Sequence, residues 1–163
     1  MGARLHQHTK QMLSIEKTKF IITPAESSWL IFTSTLNIFP ILLALSKDVT
    51  FYSWVSFGTG FFSILYWIHP IHGWRRTFDL YYAKFSFFVY LFSGMYYLPF
   101  GLPVIVLYAG ALSIFFTYYL TYVFPHIWLR FHVMFHLLGI AMKLYILSFV
   151  SHTVEKSWLT DIY

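Results

Sequence analysis

His132 and His136 stand four residues apart in the stretch His132-Val133-Met134-Phe135-His136. In a helix this spacing puts both imidazoles on one face, about 6 Å apart along the axis. Such a pair can grip one metal ion, usually zinc when the ligands are imidazoles. A third ligand could come from His69 or His72, and Asp79 could orient a ligand or hold a water. Haem ranks below zinc, because it needs histidines at matching depth on two facing helices, such as His69 and His136.

Each of these residues also has a plainer role. A histidine at the edge of an apolar segment anchors to polar surroundings or bonds a backbone carbonyl. Asp79 follows Arg75 and Arg76 at helical spacing, so an ion pair accounts for it without a metal. Lys143, on nearly the same helix face as His132, is expected to snorkel toward the far interface. Asn37 is expected to make an interhelical hydrogen bond.

Several chemistries are excluded by residue type. No glutamate follows His132 to act as the base of a zinc-protease helix. With Asp79 the only acid inside the core spans, a two-carboxylate mechanism is not available. There is no cysteine, hence no disulfide, thiolate site or cysteine nucleophile. There is also no glycine-rich phosphate loop.

The elements that must position these residues follow from composition. Of the 163 residues, 58% are hydrophobic, 23% aromatic and only 10% charged. A soluble domain has about 25% charged residues, so this chain lacks the material for a watery surface. It reads as an all-α, multi-pass transmembrane helical bundle of about five spans. These cover residues 29–45, 51–69, 79–98, 103–124 and 127–150, each near the roughly 20 residues needed to cross the hydrocarbon. A polar segment, 1–23, precedes the bundle of 24–150, and a short tail, 151–163, follows it. Thr23-Pro24-Ala25-Glu26 reads as a helix start, with a hydroxyl cap, proline first and a glutamate reaching back. Five spans place Arg4, Lys10, Lys17, Lys19, Arg75, Arg76 and Arg130 on one side of the membrane. The positive-inside rule then puts the N-terminus on the cytosolic, matrix or stromal side and the C-terminus opposite. The net charge of +5 is scattered between apolar runs, which suits phospholipid headgroups and argues against nucleic acid.

The order of Ser63, then His69 or His72, then Asp79, then His132 and His136 resembles the superfamily of alkaline ceramidases and progestin/adiponectin receptors. The stretch from His132 through His136-Leu137-Leu138-Gly139 is most similar to that family's final-span motif. The resemblance implies zinc held by His132, His136 and His69, with His72 as the alternative third ligand. It also implies catalytic roles for Asp79 and Ser63 in hydrolysing a lipid amide. In that family a histidine stands one helical turn after the serine, where this chain has Trp67, and the family has more spans.

Two functional expectations result. The first is a non-catalytic accessory or structural subunit of a larger membrane complex, such as an organellar one, with protein partners within the bilayer. Small size and extreme aromatic content suggest it. The alternative is a zinc-dependent membrane lipid hydrolase built on the His/Asp cluster. A haem- or quinone-binding subunit comes third.

Overall fold

The computed structural model describes residues 22–71 and 73–150. The N-terminal segment before them, the tail after them and His72 lie outside the described residues. Among the described residues all regular structure is helical.

Helix α1, Pro24–Thr35, starts as the sequence predicts. The Thr23 hydroxyl accepts from the Glu26 N–H at 3.3 Å, and the Glu26 carboxylate accepts from the Thr23 N–H at 2.8 Å. Two of the amides that a helix start leaves without intrahelical partners are thereby satisfied.

The first apolar stretch does not continue as one helix. It breaks at Leu36 and Asn37 and resumes as α2, Ile38–Ser46. Pro40 supplies the reason: it has no N–H for the Leu36 carbonyl, and its ring crowds that oxygen. The Phe39 N–H closes a tighter turn on the same carbonyl at 3.1 Å. The Asn37 side-chain amide donates to the Ser34 carbonyl at 3.0 Å.

Helix α3, Thr50–Ile68, passes close to this break. A Cβ on Gly60 would lie 3.2 Å from both Asn37 Cβ and the Ser34 carbonyl oxygen. The missing side chain permits the approach. Helix α4, Trp74–Tyr97, begins about a turn earlier than expected, so Arg75 and Arg76 are helical. Helix α5, Leu102–Val123, is followed by a 3-10 turn at Pro125–Ile127 and then α6, Trp128–Phe149.

Three stretches are long and apolar enough to cross a membrane: Pro24–Ser46, Leu102–Val123 and Pro125–Phe149. Helices α3 and α4 are comparable in length but differ in composition. The first is rich in Ser, Thr, Tyr and Trp, and the second opens with Arg75, Arg76, Asp79 and Lys84.

Helix α6 packs against α1, α2, α4 and α5, while α3 packs against α1, α2 and α4. The main core gathers Ala44, Val49, Tyr52, Val55, Leu98, Leu107, Ile146, Leu147 and Val150. A smaller cluster of Leu30, Tyr66 and Trp67 packs with Trp128 and Val133 toward the other end. Polarity is inverted relative to a soluble protein. Ser34, Ser56, Ser86, Asn37 and Lys143 are buried, while Trp54, Tyr81, Phe92, Phe116 and Tyr119 are exposed. An exterior of that kind suits hydrocarbon, and buried hydroxyls suit helix contacts inside it.

Candidate site in the bundle cavity

A cavity of about 470 Å³ lies between α4, α5 and α6, with Thr59 and Ser63 of α3 and Asn37 of the α1–α2 break in its wall. Four residues predicted from sequence meet there: Ser63, Asp79, His132 and His136. Helix periodicity brings the two histidines together. Their ring centroids are 5.0 Å apart, one turn from each other on α6.

The polar residues form a connected set. The Ser63 hydroxyl lies within hydrogen-bonding reach of the Asp79 carboxyl. The Ser34 hydroxyl lies 2.9 Å from Ser63 Oγ, within donating reach, and 3.5 Å from His136 Nδ1. Thr33 Oγ1 lies 3.0 Å from His136 Nδ1 and 3.1 Å from the Leu30 carbonyl. Thr33 has one hydroxyl hydrogen. With that hydrogen on Leu30, His136 Nδ1–H donates to Thr33 and Nε2 keeps its lone pair. Helix α1 thus orients a ring carried by α6, as an outer partner orients a ligand histidine.

His132 is held by rings. Trp67 stands edge-on to it at 5.3 Å, with Trp128 at 5.8 Å and Phe135 at 5.7 Å. Trp67 also ties α1 to α3, because its backbone carbonyl accepts from the Ser27 hydroxyl. Its indole N–H is buried without a hydrogen-bond partner among the described residues.

His69 stands elsewhere. It caps the C-terminal end of α3, is exposed, and is not part of the cavity wall. His126 is likewise exposed, beside Phe124. Among the described residues no group of three or more His, Asp or Glu is placed to hold a metal ion. Zinc therefore finds two adjacent imidazoles here, and the position one turn after Ser63 holds the Trp67 indole, which cannot ligate a metal.

Sequence reasoning missed the opposite pole of the cavity. Lys143 does not snorkel outward. It is 7% exposed, its Nζ donates to Asn37 Oδ1 at 2.9 Å, and it lies 5.6 Å from the centre of the Tyr90 ring. Asn37 makes the expected interhelical bond, and its partner is this ammonium. Ser86 lines the same cavity at 1% exposure, with no hydrogen-bond partner among the described residues. Spacing carried a signal: Asp79, Ser86 and Tyr90 share one face of α4, as His132, Gly139 and Lys143 share one of α6. Compared with protein-family models, curated proteins and solved structures, the chain matches none.

Proposed function

We propose that this chain is an integral membrane protein of five spans that binds a lipid-like amphiphile inside its bundle. The observation that supports the reading is the cavity itself: mostly apolar walls, a volume of about 470 Å³ and a few convergent polar groups. Small-molecule sites have that character, with volumes of about 300–1,000 Å³. Phe88 and Phe115 line the cavity and are also exposed on the outer face of α4 and α5. Access is therefore sideways, toward the hydrocarbon. In this reading Arg75, Arg76 and Arg130 face the cytosolic, matrix or stromal side, and α3 and α4 span the bilayer with the three more apolar stretches.

The test is native mass spectrometry of the detergent-purified protein, with organic extraction of what it carries. Gly139 lines the cavity, and a Cβ there meets nothing within 4 Å. Gly139→Phe fills the space from a position free of clashes. Retained lipid in the wild type and its loss in Gly139→Phe are expected. Equal lipid in both would overturn the reading.

A second reading is zinc-dependent hydrolysis of the bound lipid, favoured by the meeting of Ser63, Asp79, His132 and His136 on one cavity. It requires a third protein ligand that the described residues do not group with the two histidines. About one zinc per chain, lost in a His132→Ala/His136→Ala double variant, is its required result. The accessory-subunit role has its own basis in the aromatic exterior, which would face lipid in the isolated chain and partners in an assembly. Purification as an active, monodisperse monomer would count against it.

A further inference from the structure

We propose that the Lys143 pole of the cavity is an anion subsite, receiving the head of a single-chain amphiphile that ends in a carboxylate or phosphate monoester. The inference rests on the lipid-binding reading above and adds the charge of the head and the place where it sits.

Lys143 is a basic side chain enclosed by the bundle, and no carboxylate pairs with it among the described residues. Its contacts are the Asn37 amide oxygen and the face of Tyr90. An ammonium has three donors, and Asn37 takes one. Protonating a buried amine that lacks a counter-ion is costly, and an anion that arrives with the ligand removes that cost.

Asp79 does not meet this need. Tyr90, which marks the depth of Lys143, follows Asp79 by eleven residues on α4. That separation is about 16 Å along the helix. The same distance puts a carboxyl at one end of the cavity and the Lys143 amine at the other, with Lys84 in the wall between them along α4. An anionic head is disfavoured beside Asp79 and favoured beside Lys143.

Ser86 is the second observation, independent of the first. One turn before Tyr90 on the same face, it lines the cavity and has a buried hydroxyl with no hydrogen-bond partner among the described residues. A native structure rarely leaves such a group unpaired. One head oxygen on Lys143 and another on Ser86 would complete both. Tyr90 serves as a wall and not a donor, since its hydroxyl is engaged with Ser56 at 2.7 Å and the Tyr52 carbonyl at 3.2 Å. From this pole the apolar tail has Leu91, Leu107, Ala111, Ile114 and Phe115 to lie against. The volume suits one such tail and not a two-chain phospholipid.

The experiment measures equilibrium binding of radiolabelled palmitate, hexadecyl phosphate and hexadecanol to the full-length protein in mild detergent. Either anion is expected to bind roughly ten-fold tighter than the alcohol, the size of a hydrogen bond to a charged group. The tighter of the two anions identifies the head. Lys143→Gln keeps a donor for Asn37 but removes the charge, so it should abolish the preference, weakening the anions about ten-fold more than hexadecanol. Lys143→Arg should restore it. Ser86→Ala, a milder change, should weaken the anions several-fold more than the alcohol, which keeps the test available if Lys143→Gln fails to fold. Equal binding of alcohol and anions by the wild type, or a preference that survives Lys143→Gln, overturns the anion subsite and leaves the lipid-binding reading intact. Absence of binding by all three probes overturns both.

Discussion

The two ends of this bundle are built from similar helices and finished differently. At the end shared by Ala44, Val49, Tyr52, Leu98 and Leu147, side chains fill the space and the polar groups find protein partners. Tyr52 donates to Ser93 at 2.8 Å, and Ser56 bonds Tyr90 at 2.7 Å. Toward the other end the same helices stand around a cavity, where the Ser86 hydroxyl has no hydrogen-bond partner among the described residues, as is true of the Trp67 indole in the cluster at that end. Lys143 sits between the two regions, with an amide oxygen where a counter-ion would serve. The difference teaches that polarity inside this protein has two uses. Hydroxyls at the filled end lock helices together, and polar groups around the cavity are placed where a ligand can complete them.

Four substitutions can break or sharpen that contrast. The largest effect is expected from Gly139→Phe, which should abolish amphiphile retention by native mass spectrometry. Its thermal midpoint in detergent should hold or rise, since glycine costs a helix interior about 1 kcal/mol relative to alanine. A large drop in midpoint instead would mean that the cavity cannot take the ring.

Leu147→Ala, at the filled end, should destabilise the protein by about 2 kcal/mol, the cavity penalty for the removed side-chain volume. Lipid retention should be preserved. Denaturant titration checks the first half, and loss of lipid would show that the two regions are not separable.

Ser63→Ala breaks the link between Ser34 and Asp79. A cost of about 1 kcal/mol is expected, the net worth of a buried hydrogen bond whose partner is left unmade. A neutral result in the same titration would mean that water already serves Asp79.

Thr33→Val, which keeps the shape and removes the His136 partner, should cost somewhat less, about 0.5 kcal/mol, because Ser34 lies within reach of the same nitrogen. An imidazole nitrogen NMR signal from His136 that does not move would show that Thr33 does not set its tautomer.

Local chemistry made much of the architecture legible. The Thr23–Glu26 cap marks a helix start because it acts within one turn of itself. The His132–His136 pair was legible for the same reason: a helical period fixes which residues of one helix share a face. Proline at position 40 carried a signal for the break, but the span 29–45 reads as continuous because the apolar run around it is unbroken.

What no single helix decides is depth and rotation against its neighbours. His69 and Lys143 illustrate this from opposite sides. His69 looked like a ligand by its order in the chain, but α3 ends with it at the exposed rim, beyond the cavity. Lys143 looked like a snorkelling residue by its distance from the helix end, but the α1–α2 break brings Asn37 opposite it and turns it inward. The sequence by itself determined an apolar, helical chain, several of its helix ends and the face shared by its two histidines, because those depend on contacts a few residues apart. Only the tertiary structure decided that Ser63, Asp79, His132 and His136 share a cavity with Lys143, because the packing of six helical segments sets how each face is aimed.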